Sequence, residues 1–203
     1  MTERKAALYR LLERPSVYAL MQALLAPGAE RSITRRIIRL TKQMPPGDFI
    51  LDVGCGPASW LWRAQLHPVG LDLSLKYTIA FRRLGHPAVT GSAAELPFPN
   101  QCFDSVWCIG LLHHLPDDMA RQAVAEMLRV CRRGGYIAIL DAVLPEHKLR
   151  RPVAYMLRRM DRGRFVRHQD NLISLLPVSE SWNFERFTYA LTGLELLGCY
   201  LTH

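Results

Sequence analysis

The chain has 203 residues, 49% of them apolar and 22% charged, which is the composition of a globular domain with one sizeable core. No apolar run approaches the ~20 residues that cross a bilayer, and the N-terminus lacks the uninterrupted apolar stretch of a signal peptide. We therefore expect a cytoplasmic protein without a transmembrane segment. Its five scattered cysteines form no C-x-x-C pair, which predicts neither a disulfide framework nor a metal site.

Two basic clusters carry most of the net charge of +8. The first comprises Arg31, Arg35, Arg36, Arg39 and Lys42. The second comprises Lys148, Arg150, Arg151, Arg158, Arg159, Arg162, Arg164 and Arg167. Such clusters attract anionic partners without specifying the anion. Peripheral contact with a membrane is one option, whereas nucleic acid is disfavoured because no aromatic residues alternate with the arginines to stack on bases.

Residues 1–46 show apolar stripes at helical spacing, and Pro45-Pro46-Gly47 closes the last of them. This pattern predicts an N-terminal helical cover that precedes a domain spanning residues 47–203. Packing of the stripes on that domain explains them more simply than binding of the arginines to a membrane or nucleic acid.

From residue 47 onward, short apolar runs alternate with helical patterns. The predicted strands are Phe49–Val53, Val69–Leu73, Ala88–Thr90, Phe103–Ile109 and Tyr136–Leu140. The predicted helices span residues 57–65, 74–84 and 117–133, the last capped by Asp117 and ended by Gly134-Gly135. Strands that are apolar without alternation, and that alternate with helices, indicate a parallel sheet covered on both faces.

The C-terminal part of the chain follows a different pattern. A basic segment at about residues 145–180 predicts a helical cap inserted after the fifth strand. Residues 183–191 and 194–201 then form two strand-like runs around Thr192-Gly193, which predicts an antiparallel hairpin. The expected fold is thus a doubly wound, Rossmann-like α/β domain with seven strands, mostly parallel, and an antiparallel last strand.

A glycine turn and an acid follow the first two strands. Gly54 and Gly56 remove side chains where a backbone must approach a ligand, and Asp72 lies near the offset at which an acid meets ribose hydroxyls. A dinucleotide site prefers a third glycine, but Ser59 occupies that position. Asp52 would also repel a pyrophosphate and attract a cationic amino group, which favours S-adenosylmethionine over a dinucleotide.

Several motifs resemble those of class I S-adenosylmethionine-dependent methyltransferases, in family order and spacing. The motifs are Leu51–Pro57, Val69–Ser74, Gly91–Phe98 followed by Phe103-Asp104, Leu112–Pro116 and Leu128–Tyr136. Their details are similar to the quinone-biosynthesis subgroup, and the resemblance covers about residues 47–142. It implies contacts with the methyl donor from Asp52, Gly54, Cys55, Gly56, Asp72, Leu73, Ser92, Ala93, Ala94 and Ile109. The family usually has an acid where Ser92 stands, so a serine hydroxyl or the adjacent main chain is expected to meet the adenine amino group.

Methyl transfer needs a base only when the acceptor must first lose a proton. His113 and His114 follow the fourth strand, near the expected position of the methyl group, and Asp141 ends the fifth. These three residues are the candidate catalytic groups. The alternatives are that the histidines order their loop and that Asp141 caps the loop after it.

The basic cap supplies the candidate acceptor-binding residues. Its apolar side predicts a lid whose rim holds an anionic group of the acceptor through Arg158, Arg162, Arg164, Arg167 and His168. A solvated charged face is the alternative. The predicted function is methyl transfer to oxygen or carbon of a small or lipid-like, anionic acceptor. An RNA-modifying methyltransferase and a non-catalytic binding or partner-activating module remain the alternatives.

Overall fold

A computed structural model describes residues 26–47, 49–159 and 163–203. The strands are β1 (Ile50–Val53), β2 (Val69–Asp72), β3 (Ala88–Thr90), β4 (Phe103–Ile109), β5 (Cys131–Val143), β6 (Asn183–Thr188) and β7 (Glu195–Thr202). The α-helices are α1 (Ala29–Thr41), α2 (Leu75–Arg83), α3 (Asp117–Val130), α4 (Pro152–Arg159) and α5 (Gln169–Ile173). Two 3₁₀ turns complete the described elements, Trp60–Ala64 and Leu112–His114.

The seven strands form one sheet in the order β3-β2-β1-β4-β5-β7-β6. Strands β1 to β5 are parallel, whereas β7 pairs antiparallel with both β5 and β6. This confirms the predicted doubly wound fold and its reversed hairpin. Because parallel strands end at one edge of the sheet, the turns after β1, β2, β4 and β5 come together there.

Apolar layers cover both faces of the sheet. On one face, α3 buries Ala120, Ala123, Val124 and Met127 against β4 and β5, together with leucines of the segment after α5. On the other face, α1 packs Ile33, Ile37 and Leu40 against β1, β4 and β5. Since both faces are covered, the central strands are buried along nearly their whole length, as their apolar runs predicted.

Two residues of the first basic cluster, Arg36 and Arg39, pack on the domain. Arg36 and Arg39 both pair with Glu185 of β6, and the Arg36 guanidinium lies 4.1 Å from the ring centroid of Phe187. These contacts fit the interpretation that α1 covers the sheet. The predicted stripes before residue 26 lie outside the described residues. Among the described helices, none is long and apolar enough to cross a membrane.

Three local predictions were wrong. The helix expected over residues 57–65 is only the 3₁₀ turn Trp60–Ala64, because the glycine turn continues to Ser59 and Gln65 ends the element at a φ of 61°. The helix before Gly134 ends earlier, at Val130, and the chain enters β5 directly, so Gly134 lies within a strand and not in a helix cap. Asp117 begins α3 instead of capping it, since Pro116 occupies the cap position.

Candidate active site

The turn after β1 brings backbone close to the open edge of the sheet. Gly54 and Gly56 adopt φ values of 76° and 62°, in the left-handed region that glycine tolerates best. The amides of Gly54 and Cys55 both donate to the carbonyl of Leu71 in β2. A Cβ built on Gly56 would meet no atom within 4 Å, so its backbone borders open space. The turn therefore presents main chain, without side chains, to whatever binds above it.

Asp72 is held in place by the same turn. Its Oδ2 accepts from the Gly56 amide at 3.0 Å and its Oδ1 from the Ser74 amide at 2.8 Å. A carboxylate offers about four acceptor positions, so two remain for a ligand with adjacent hydroxyl groups. Next to it, the Leu73 side chain is 77% exposed, an apolar surface beside a polar anchor. This combination fits a nucleoside, whose ribose is polar and whose base is flat and apolar.

Asp52 lies beneath the turn with only 3% of its surface exposed. Burial raises the pKa of its carboxyl to about 7, and the nearby charge of Asp72 adds to the rise, although a hydrogen bond from Ser59 opposes it. The Ser59 hydroxyl donates to Asp52 at 2.5 Å and accepts from the Leu61 amide. No cation among the described residues pairs with Asp52, so a ligand with a cationic group would favour its charged form.

The remaining predicted contacts with the donor lie along the same edge of the sheet. The Ser92 hydroxyl accepts from the Ala94 amide at 3.2 Å, which shapes a turn through Ala93 and keeps all three residues half-buried. Cys55 is buried against Phe81, and Ile109 ends β4 opposite Leu140. The structure therefore places the predicted cofactor residues around one edge, and their direct contacts with a ligand stay predictions.

His113, in the 3₁₀ turn after β4, pairs with Asp141, which lies inside β5 and does not end it as the sequence predicted. Nδ1 of His113 lies 2.5 Å from Oδ1 of Asp141, and the His113 amide donates to Oδ2 at 3.2 Å. The His113 side chain is 11% exposed and that of Asp141 is 1% exposed. The His113 ring lies over Gly110, 3.8 Å from where its Cβ would be. The histidine thus occupies the edge of the sheet that also carries the glycine turn.

The charge of Asp141 is stabilised despite its burial. Burial alone raises the pKa of this carboxyl, but attraction to His113, its hydrogen bond and the Ala142 amide together lower the pKa below its ordinary value. An ionised acid bonded to Nδ1 keeps the ring proton on that nitrogen. In the neutral form of His113 this places the lone pair on Nε2, which is the tautomer that a general base requires.

His114 is not part of this pair. Its side chain is exposed, and its ring centroid lies 4.2 Å from that of His113. Of the two adjacent histidines, only His113 contacts Asp141 in the described structure. The sequence could not distinguish them, because a 3₁₀ turn directs successive side chains about 120° apart and its phase was not predictable.

The candidate acceptor-binding residues of the cap do not come together. Arg158 is 6% exposed and donates to the Tyr189 hydroxyl and the Glu195 carbonyl, and Arg167 is 7% exposed. Arg164 and His168 are exposed, whereas Arg162 lies outside the described residues. The two buried arginines hold the protein's own groups, so Arg164 and His168 are the exposed ones among the described candidate residues.

Two structural residues of the site carried too little sequence signal to be chosen. In the sequence, Ser59 was noted only because it occupies the position where a dinucleotide site has a third glycine. In the structure its hydroxyl donates a hydrogen bond to Asp52. Gly163 lies so close to His113 that a Cβ there would overlap the imidazole ring. A single glycine in a basic segment is not distinctive, so only the fold reveals its neighbour.

Comparison with known proteins agrees with this geometry. Residues 51–139 match the family model described as a methyltransferase domain. The probable tRNA methyltransferase 9B of Homo sapiens is 33% identical over 106 residues, covering 51% of this chain and 23% of the relative. The demethylmenaquinone methyltransferase of Listeria monocytogenes is 33% identical over 128 residues, covering 57% of this chain and 52% of the relative. A methyltransferase domain thus matches residues 51–139 of this chain.

The fold of a class I methyltransferase extends across nearly the whole chain. A Thermotoga maritima structure, described as a possible histamine N-methyltransferase, aligns with a TM-score of 0.67 at 16% identity, covering 95% of this chain and 99% of that one. Among the curated relatives, by contrast, the chain spans about a quarter to a half of their length.

S-adenosylmethionine, the methyl donor of this family, fits the residues present. The open glycine backbone, the two remaining acceptor positions on Asp72 and the exposed Leu73 suit its ribose and adenine. The unpaired charge of Asp52 suits its cationic amino acid end. A pyrophosphate would meet two acids here, which argues against a dinucleotide.

Proposed function

We propose that this chain transfers a methyl group from S-adenosylmethionine to an oxygen or carbon atom of a small or lipid-like, anionic acceptor, with His113 as general base. The observation that carries the proposal is the His113–Asp141 pair, at 2.5 Å, on the sheet edge that also carries the glycine turn. A methyltransferase whose acceptor is already nucleophilic has no need of an oriented base. The pair therefore favours an acceptor that must lose a proton.

When bound, the donor supplies a methyl group activated by a positively charged sulfur. The chain's part is to place the acceptor in line with that group and to exclude water. Nε2 of His113 would take the proton from the acceptor's hydroxyl or acidic carbon. The donor, held by the turn of Gly54 and Gly56 and by Asp72, would supply the methyl group to the electron pair so released, as its carbon–sulfur bond breaks and that bond's electron pair passes to sulfur. Asp141 stabilises the resulting imidazolium, because it is ionised and already bonded to Nδ1.

The cap supports the class of acceptor. The outer face of α4 exposes Val153 and Met156, and Leu149 before it is 96% exposed. Exposed basic residues surround these apolar side chains. Apolar surface beside positive charge suits a molecule with a hydrocarbon part and an anionic group, and also suits peripheral contact with an anionic membrane. Arg164 and His168 are the described cap residues proposed to meet the anionic group.

RNA is the second candidate acceptor. The similarity to the probable tRNA methyltransferase 9B favours it, as does the net charge of +8. The buried pair at His113 favours the small acceptor, because its base is enclosed by the cap. Bulk RNA that accepts methyl groups with a steep dependence on salt would reverse this preference.

The first experiment is calorimetric titration with S-adenosylhomocysteine, the product form of the donor. We expect binding by the wild-type chain, at least tenfold weaker binding by Asp72→Ala, retained binding in the exposed control Asp118→Ala, and no binding of NAD. A chain that binds NAD and not S-adenosylhomocysteine would overturn the proposal.

An acceptor screen with a labelled methyl donor follows, using phenols, quinol-like lipids, carboxylates and bulk RNA. Methylation of a small acceptor that His113→Ala abolishes would support the proposal. Binding of S-adenosylhomocysteine without turnover in any class would instead identify a non-catalytic module.

A further inference from the structure

Arg167 uses every hydrogen-bond donor of its guanidinium inside the protein. Nε and Nη2 both donate to Oδ1 of Asp117, at 2.9 and 2.6 Å. Nη1 donates to the carbonyls of Leu112 and Phe165, at 2.8 and 3.0 Å, and Nη2 donates also to that of Leu115, at 2.7 Å. A guanidinium has five N–H groups, so none remains for an external anion.

The carbonyls that Arg167 binds flank the candidate base. Leu112 and Leu115 bracket the 3₁₀ turn Leu112–His114, which carries His113. Such a turn is too short to hold its own orientation, because its last carbonyls lack partners within it. Asp117, the other partner of Arg167, begins α3 immediately after this turn. The guanidinium thus joins the carbonyl end of the turn to the helix that follows.

The backbone of Arg167 and its neighbours also contacts β5, the strand that carries Asp141. Its carbonyl accepts from the Leu144 amide at 2.8 Å, and the residue forms a parallel bridge with Val143 at the end of β5, the strand that carries Asp141. Two residues earlier, the Phe165 amide donates to the carbonyl of His113 at 3.0 Å. One short segment, residues 163–167, therefore contacts the loop of His113 and the strand of Asp141 together.

We infer that Arg167 is a positioning residue, which fixes the loop of His113 against the strand of Asp141 and so couples the cap segment 163–167 to the base. This assigns to Arg167 a role other than anion binding. A lysine would not replace Arg167. Its three N–H donors lie on one nitrogen, so they cannot bind three separated carbonyls and a carboxylate together. The kinetic part of the inference rests on the proposed function, whereas the structural part does not.

The test is proton NMR of the full chain in its ligand-free form, following the downfield Nδ1–H resonance of His113. Asp141→Asn, which should remove the strong acceptor, assigns the resonance. The variants are Arg167→Met, Arg167→Lys and the control Arg164→Met, which alters an exposed arginine of the same segment. We expect the resonance to be lost in Arg167→Met, weakened in Arg167→Lys and unchanged in Arg164→Met, with circular dichroism as the measure of folding.

Two results would overturn the inference. One is a folded Arg167→Met protein that keeps the wild-type resonance. If that variant does not fold, a folded Arg167→Lys protein with the wild-type resonance is equally decisive, since its positive charge is kept and only the fork of donors is lost.

Kinetics then separate this inference from the proposed function. With an acceptor in hand, we expect Arg167→Met to lower kcat by about 10²-fold and to shift the acid limb of its pH profile, with a small change in KM. A wild-type pH profile with kcat reduced only in proportion to the folded fraction would reduce Arg167 to a purely structural role and overturn the inference. A lost resonance in a chain that methylates nothing would leave the positioning role intact and overturn the proposed function alone.

Discussion

The strand ends and the cap of this protein use charged residues in different ways. In the parallel strands, Asp52, Asp72 and Asp141 keep fixed positions through backbone amides and neighbouring side chains, and Asp72 is the half-buried one of the three. In the cap, Arg158 and Arg167 are buried among carbonyls and hold the protein together. Charge near a site is therefore not by itself a sign of ligand binding. A charged residue can bind a ligand only through hydrogen-bond groups that the protein itself does not use.

The largest expected effect concerns the buried pair, where the two regions meet. His113→Ala removes the proposed base and Asp141→Asn removes the group that orients it, so each should lower kcat by about 10²- to 10⁴-fold at neutral pH. His114→Ala is the matched control and should leave kcat nearly unchanged, since its exposed ring does not contact Asp141. Steady-state methyl transfer measures all three, and equal loss in the two histidine variants would contradict the assignment.

A smaller effect is expected where Asp72 holds the donor. Asp72→Ala removes the carboxylate that accepts from the ligand, and the loss of one charge-assisted bond, worth about 1.5–3 kcal/mol, should raise the Kd of S-adenosylhomocysteine about 10- to 100-fold. The same variant frees the Gly56 amide. Calorimetry beside Asp118→Ala, an exposed acid, provides the measurement. An unchanged Kd would remove Asp72 from the site.

The pH dependence of donor binding tests Asp52. Its folded pKa of about 7 is raised above the ordinary 3.8, so the ionised form that attracts a cationic amino group disappears as the pH falls through 7. We expect the affinity for S-adenosylhomocysteine to fall about tenfold from pH 8 to pH 6. Calorimetry at the two pH values makes the comparison, and Asp52→Asn should bind weakly at both.

The same carboxyl has an opposite effect on stability. A raised acid pKa stabilises the folded chain below the unfolded pKa near 4, and this contribution is lost as the pH rises through 7. Asp52→Asn should therefore raise the midpoint of thermal unfolding at pH 8. A lower midpoint there would mean that the Ser59 hydrogen bond outweighs the cost of burying the charge.

The smallest expected effect on catalysis belongs to Arg158. Arg158→Met leaves the Tyr189 hydroxyl and the Glu195 carbonyl without this donor, which should lower the free energy of unfolding by about 1–3 kcal/mol while the KM for the acceptor stays unchanged. Arg159→Met, its exposed neighbour, is the control for stability. Denaturant unfolding and steady-state kinetics measure the two quantities. A raised KM at unchanged stability would return Arg158 to the acceptor site.

The predictable features were those that the backbone itself dictates. Apolar runs and glycine turns gave the strands, the parallel order and the edge that gathers Asp52, Asp72 and Asp141, because a parallel sheet leaves few alternatives. The direction of a long arginine side chain depends on which carbonyls surround it after folding. The sequence therefore predicted that Arg167 lies in the cap, but it could not predict which groups its guanidinium binds. The end of α3 at Val130 was not predicted, because Gly134-Gly135 suggested a helix cap at that point. In the structure the residues before these glycines already belong to β5, which begins at Cys131 and pairs there with Phe103 of β4.

The position of β7 inside the sheet has a consequence for how the chain acquires its shape during synthesis. β7 lies between β5 and β6, yet it follows both of them along the chain. Until it emerges from the ribosome, β5 exposes an unpaired edge with the apolar run Tyr136–Leu140, which is a hazard for association with other nascent chains. The strand that carries Asp141 is thus completed by a strand that is made after both of the strands beside it, so translation that stops before β7 would yield an aggregation-prone chain.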